Sequence, residues 1–358
     1  SGGNDSNNLV IPTIQSEYDN YAAIRTDVLA VPLSGVPPNQ AVIPLSPLSS
    51  DGHDYGLHPS CPQLATLFGE NKLAVLFNPG TLVFPMTRAQ YQSGILEKPP
   101  QLFSHSDQVT QWQTSIPDRA PLTGWGGRCA DLLAAMQPAA PISLCVTLSG
   151  ANTFEVGNIV SQYSVTTSGA MNLSGVSGAR LQTLTNILAL PYPNLQVRAY
   201  ANVGDHAIAT GGLLNAAIAS TAAPDYWTVP FPTTVTSPTG GTQFNSQLSS
   251  QLRMIARLIE AGNRAAANGG FGMKRQIFFC EVAGYDLHSG QTPGSGQTTI
   301  GSHANLLAEL SQGLFAFQRA MEQLGLSSNV TTFTASDFGR TLPCNGDGSD
   351  HGWGSHHL

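Results

Sequence analysis

The chain of 358 residues reads as an α/β protein, and three observations carry that reading. Helical and strand patterns alternate through the first 150 residues, a β–α–β unit occupies 276–335, and the strands are short apolar runs of the kind that sit inside a sheet. At roughly 100–200 residues per domain the length allows one large α/β domain or two smaller ones.

Ser1 to Asn8 is rich in turn-forming residues. Residues 17–30 read as a helix, and His58-Pro59 leads into another over 60–70, Pro being favoured in a first helical turn. Lys72 to Phe77 reads as a buried strand stopped by Asn78-Pro-Gly80. Gly124-Trp-Gly-Gly127 introduces a helix over 127–136, and Ile142 to Leu148 forms a second apolar strand. From 151 to 245 the pattern blurs into Ser, Thr, Gly, Asn and Pro with scattered aromatics, which reads as an irregular insertion or cap. Leu248, Leu252, Ile255 and Ile259 then recur at helical spacing within 246–268, where Gly269-Gly270 ends the segment. Gln276 to Ala283 is a strand, and Ser302 opens a helix carrying Leu307, Leu310, Leu314, Phe317 and Met321. Asn329 to Ala335 is the parallel return strand. The organisation is therefore 1–150 as one half of an α/β core, 151–245 as insertion, and 246–358 as the other half, in one composite domain.

Composition narrows the function. Charged residues are 10% of the chain, against a typical ~25%, and the net charge is −7. With no basic run to neutralise phosphates, nucleic-acid binding is excluded as an expectation. No stretch approaches the ~20 apolar residues of a membrane span. The five cysteines form no CxxC pair, so neither a zinc knuckle nor a disulfide framework is indicated.

Ligands of open parallel sheets bind beyond the carboxyl ends of the strands, and there the sequence concentrates chemistry. The strand from Gln276 leads to Asp286 and His288, the strand from Asn329 leads to Asp337 and Arg340, and a Gly-rich loop carries Asp347, Asp350 and His351. Asp mixed with neutral His suits zinc, manganese or iron better than calcium or magnesium. An Asp at a strand end also caps the turn that follows, and each one taken singly supports that reading equally. His105 and Asp107 form a second polar group among aromatics, fit to bind substrate, to hold metal ligands from behind, or merely to bond within a surface loop. His53, His58, His206 and His303 read as structural or solvated. No GxxxxGK[ST] loop and no GxSxG elbow occurs.

Several motifs together resemble the DUF1501 family of bacterial exported proteins, a branch of the alkaline phosphatase and sulfatase superfamily. They are Gly2-Gly-Asn-Asp5-Ser-Asn-Asn8, Leu57-His-Pro59, Thr87-Arg-Ala-Gln-Tyr91, Phe103-Ser-His-Ser-Asp107 and Gly124-Trp-Gly-Gly-Arg128. Gly284-Tyr-Asp-Leu-His-Ser289, Ala335-Ser-Asp-Phe-Gly-Arg-Thr341 and Asn345 to Trp353 complete the set. The resemblance implies a three-layer α/β/α sandwich with a mostly parallel sheet, twin-arginine export to a periplasmic or extracellular location, and a chain truncated or processed at both ends. It implies one or two divalent ions held by Asp5, Asp286, His288, Asp337, Asp350 and His351, Asp5 being a mere turn signal by its local sequence. For a nucleophile it leaves Thr87, Ser6, Ser104 and Ser106 open. Thr87, Ser104, His105 and Arg340 are the catalytic candidates, and Arg128 and Asp107 the substrate-binding ones, with Arg340 or Arg128 facing a substrate oxyanion.

The expected function is a metal-dependent hydrolase of phosphate or sulfate esters on small molecules or polymers. The competing expectation is an exported binding or structural protein that keeps the fold without turnover, because scaffold alone does not decide activity.

Overall fold

The computed structural model describes residues 2–35, 40–119, 121–137, 140–171, 173–237, 239 and 243–358. In chain order the elements are β1 (Val10–Pro12), α1 (Gln15–Leu29), β2 (Ile43–Pro44), β3 (Tyr55–Leu57), α2 (Pro62–Gly69), α3 (Arg88–Ser93), α4 (His105–Thr114) and α5 (Trp125–Ala134). There follow β4 (Cys145–Thr147), β5 (Tyr163–Thr166), β6 (Gly169–Ala170), α6 (Ala179–Leu188), α7 (Leu195–Ile218), β7 (Thr234–Val235) and β8 (Phe244–Asn245). The last three are α8 (Gln247–Asn263), β9 (Ile277–Phe279) and α9 (Ser302–Gln323).

The architecture is mixed α/β, with several small sheets. A four-stranded sheet has the order β6-β5-β4-β9; β5, β4 and β9 are parallel, and β6 is antiparallel to β5. A three-stranded antiparallel sheet, β1-β3-β2, and the pair β7-β8 complete the set among the described residues.

α8 is helical because Leu248, Leu252, Ile255 and Ile259 form one apolar stripe and the Ser246 hydroxyl accepts from the Ser249 amide at its start. It ends at Asn263, and Gly269 takes the left-handed conformation that closes the short turn beyond (φ 75°). Its stripe packs against α9 through Phe317, Ala320 and Met321, with Trp227 and Phe231 alongside. The other flank of α8, with Met254 and Leu258, meets β4, β5, α5 and α7 around Val146, Val165 and Leu214. A third cluster joins β1, β3 and α2 to α9 through Leu57, Leu64 and Leu307. Each fully buried Leu contributes on the order of 1.5–3 kcal/mol.

Three expectations change. Lys72–Phe77 forms no ladder; Leu76 makes only an isolated antiparallel bridge to His357. Asn329–Ala335 likewise joins no sheet, although Thr334 donates to the Leu358 carbonyl at 3.1 Å. The unit after Gln276 therefore holds β9 and α9 without a paired return strand, because the outer edge of β9 faces an open slot. Third, the described residues of 151–245 hold regular elements where none was expected: β5 and β6 extend the main sheet, and α7 is a helix of 24 residues started by Asn194, whose side chain accepts from Gln196 and Val197. Its Gly and β-branched content had hidden it. Among the described residues no helix is long and apolar enough to cross a membrane, and all five cysteines are free.

Candidate functional site

The residues that gather come from four places: the start of α4, the segment after β9, the turn after Ala335, and the Gly-rich loop before the end of the chain. Phe338 is buried, and its ring lies 4.7 Å from that of His105 and 4.3 Å from that of His351, centroid to centroid, so it backs both imidazoles, which themselves meet edge to face at 4.6 Å. Gly348 lets its loop close in, since a Cβ there would stand 2.4 Å from the Leu287 carbonyl.

Hydrogen bonds orient three imidazoles. His105 Nδ1 lies 2.7 Å from Asp337 Oδ2, His351 Nδ1 2.8 Å from the Phe103 carbonyl, and His288 Nδ1 3.4 Å from Asp350 Oδ1. A carbonyl or carboxylate can only accept, so in the neutral tautomer that donates from Nδ1 to these partners each Nε2 keeps a lone pair. The Nε2 atoms turn to one carboxylate, Asp286. Those of His288 and His351 lie 3.2 and 3.4 Å from its Oδ1, and that of His105 lies 3.5 Å from its Oδ2. The Nε2 atoms of His288 and His351 are 2.8 Å apart. Two lone pairs facing at that distance repel unless a proton or cation lies between them. Tetrahedral ligands about 2.0 Å from zinc keep roughly 3.3 Å between them, and these separations bracket that value. The ligand atoms of His105, Asp286 and His351 all fall within 4.8 Å of one another. The donor set therefore fits a divalent transition metal.

The carboxylates differ in task. Burial pushes the Asp337 carboxyl up, but the His105 bond and the Gly3 and Gly2 amides outweigh it and hold the group below its ordinary value. Gly3 donates to it at 2.7 Å and Gly2 at 3.0 Å. With its side chain only 1% exposed, Asp337 serves to orient His105. Asp286 is opened to the cleft by its half-exposed side chain; burial raises it, and the bond and charge of Arg340 with the charge of His105 lower it more. Asp350 is exposed and held low, first by the Asn345 amide and then by His288.

Of the other sequence candidates, Asp5 does not join them. It is buried in an ion pair with Arg25 and a bond from Gln291; burial raises its pKa, and Arg25 and His303 hold it low on balance. A carboxylate already neutralised by a buried guanidinium has no free charge for an ion. Arg340 donates to the carbonyls of Gly3, Gly2, Ser349 and Tyr285 and to Asp286 Oδ1 at 2.6 Å, so it pins the backbone beneath the cluster. Arg128 donates to the Thr123 and Thr114 carbonyls. Thr87 caps α3 in a capping box with Gln90. Ser104 donates to Asp107 at 2.6 Å, one position before His105, and Ser106 reaches the same carboxylate at 3.3 Å. Ser6 is buried in the turn after Asp5. His58 and His303 are buried together, and burial lowers them to about 3 and about 4.

What the sequence did not supply is the place of His105 among the facing nitrogens and the Phe103 carbonyl behind His351. The available signal was the single His in a polar run flanked by aromatics. An open cleft of about 400 Å3 adjoins the cluster and is lined by Gly2, His105, Ser106, Glu281, Asp286 and Asp337, among others.

Fold and site together define a mixed α/β protein with a His–Asp cluster suited to a metal. The model of the family described as protein of unknown function (DUF1501) matches residues 213–358, which supports that family over the part holding Asp286, His288, Asp337, Asp350 and His351. The chain matches none of the curated proteins and none of the solved structures with which it was compared.

Proposed function

We propose that the protein is an exported, metal-dependent hydrolase of phosphate or sulfate esters, with an alkaline phosphatase-like site. The observation that carries this reading is the convergence of three Nε2 atoms on Asp286, each ring being oriented by its own Nδ1 contact. His105, His288, His351 and Asp286 would hold the ion, one per cluster or a second one on the Asp350 side. When bound, such an ion supplies Lewis acidity towards an ester oxygen and lowers the pKa of water.

The chain's own residues do the rest. Asp337 fixes the His105 tautomer, Arg340 keeps Asp286 ionised from below, and Phe338 excludes water from one face of two imidazoles. Ser106, in the first turn of α4, borders the cleft as the accessible hydroxyl beside His105. The motif resemblance and the scarcity of charged residues support export to the periplasm or beyond.

A second reading, a binding or structural protein without turnover, is favoured by one observation. Both arginines expected at a substrate oxyanion, Arg340 and Arg128, have committed their donors to the protein itself.

Elemental analysis of protein purified without added metal, beside Asp286→Asn and His351→Ala, tests the site. The expected result is a stoichiometric transition metal in the parent and its loss in both variants. Aryl phosphate and aryl sulfate hydrolysis that stops on chelation and returns with zinc or manganese supports the hydrolase. A metal-loaded protein inert towards both ester classes moves the conclusion to the second reading, and a folded protein that binds no transition metal sinks both metal roles.

A further inference from the structure

One buried side chain ties together the two groups that orient His105 and His351. Gln108 lies one turn after the start of α4 and is fully buried. Its Oε1 accepts from the Phe103 amide at 2.6 Å, and its Nε2 donates to the Asp337 carbonyl at 3.2 Å and to the Thr81 hydroxyl at 3.4 Å. An amide side chain can do both at once, since it carries an acceptor oxygen and two N–H donors. The bonds end on the residues behind the imidazoles. The Phe103 carbonyl faces His351 Nδ1 at 2.8 Å, and the Asp337 carboxylate faces His105 Nδ1 at 2.7 Å.

The two ends do not depend on Gln108 equally. The Asp337 carbonyl has a second donor, Trp112 Nε1 at 3.1 Å, and its carboxylate is held by the Gly2 and Gly3 amides. The Phe103 amide has no other partner among the described residues. Phe103 also has a φ of 71°, and Gln101, two residues earlier, a φ of 52°. That left-handed region is unfavourable for a residue with a Cβ and rare for a bulky one. Such a backbone persists only where its surroundings over-determine it. Here Gln108 grips the Phe103 amide, and Gln111, also buried and three residues further along α4, donates to the Pro100 carbonyl at 2.8 Å and accepts from the Thr81 hydroxyl at 2.8 Å. The turn from Pro100 to Phe103 is thereby clamped to α4 at both ends, and the carbonyl it presents is the one that His351 meets.

We propose that Gln108 is a positioning residue of the His–Asp cluster: by holding Phe103 in its left-handed conformation it aims the Phe103 carbonyl at His351 Nδ1 and so leaves Nε2 of that ring as the acceptor facing Asp286. Its effect on metal affinity rests on the reading of the cluster as a metal site, whereas its effect on the ring concerns the chain alone. Without Gln108 the Phe103 amide is a donor with no partner, and the turn relaxes towards negative φ and carries the carbonyl away from His351. The His351 proton is then shared between the two ring nitrogens. His105 keeps its tautomer, because Asp337 retains its other donors.

The experiment combines nitrogen NMR of the imidazoles in metal-free protein, about two pH units above the ordinary histidine value, with zinc titration calorimetry of the parent, Gln108→Met and Gln108→Glu. Met matches Gln in length and makes neither bond; Gln108→Ala, which also makes neither, takes its place if the Met form does not fold. The expected result for Gln108→Met is a His351 ring shifted from Nδ1-protonated to a mixture of tautomers, an unchanged His105 ring, and zinc affinity lower by about 10–100-fold. Gln108→Glu returns an oxygen to the Phe103 amide, so it should recover the His351 tautomer and bring zinc affinity to within about threefold of the parent. Leu307→Ala, in the core around α2, should lower the melting temperature without moving the His351 ring. A His351 ring in Gln108→Met that stays Nδ1-protonated as in the parent overturns the proposal whether or not zinc binds. So does an equal shift of that ring in Leu307→Ala, which would make the effect a general loosening, and so does a Glu form no better than the Met form. A parent that takes up no zinc removes the metal reading, and the ring result still decides the role of Gln108.

Discussion

Replacing Asp337 by Asn tests how the site is oriented. The carboxylate accepts from the Gly2 and Gly3 amides and from His105 Nδ1. Asn is nearly isosteric, and its Oδ1 can keep the glycine amides. Its amide nitrogen then faces His105 Nδ1 as a donor, so the imidazole must accept there and carry its proton on Nε2. That proton occupies the lone pair facing Asp286. Loss of such an orienting partner weakens metal affinity by about 10–100-fold, or about 1.4–2.7 kcal/mol. Zinc titration calorimetry of the parent and Asp337→Asn measures the affinity, and nitrogen NMR of the His105 ring reads the tautomer. Zinc binding within twofold of the parent, with His105 protonated on Nε2, would refute the reasoning.

Other outcomes follow from single features. Glu155 is wholly buried, and burial, opposed by the Asn152 and Val146 bonds, raises it from 4.5 to about 7. The folded state then holds a proton that the unfolded state has released, so stability falls as pH rises from about 4.5 to about 7 and levels off above. Denaturant midpoints against pH should show a loss of at most about 3 kcal/mol, and Glu155→Gln should flatten the curve; an unchanged slope in the variant defeats the assignment. Leu307→Ala, at a fully buried site between α2 and the first sheet, should cost about 2–5 kcal/mol in urea unfolding; a cost under 1 kcal/mol contradicts the packing. Thr87→Ala should remove a cap worth about 1 kcal/mol while leaving metal content and any ester turnover intact, and a collapse of turnover would instead make Thr87 a nucleophile.

Long periodic segments were legible in the sequence. α8 and α9 carry their apolar stripes at 3.6-residue spacing, and β9 is an apolar run between breakers, so local pattern sufficed. The runs Lys72–Phe77 and Asn329–Ala335 look the same locally and join no ladder, because a strand exists only where another edge accepts its hydrogen bonds. α7 shows the reverse: weak local preference is overridden by packing of Leu214, Ala217 and Ile218 into the main core.

The sequence by itself determined that the chain is α/β, and its net charge of −7 without a basic run led to the expectation of no nucleic-acid partner. It also pointed to Asp286, His288 and Asp337 at the ends of expected strands, and to Asp350 and His351 on a Gly-rich loop soon after. Only the tertiary structure decided the role of each. His105 and Asp337 are 232 positions apart and 2.7 Å from each other. Asp5, Arg340 and Arg128 carry the right charges for a site, yet they are committed to Arg25, to five acceptors around Gly2 and Asp286, and to the Thr123 and Thr114 carbonyls. A sequence records which groups can ionise or donate. Which partner takes each donor depends on distance, and distance is settled by packing.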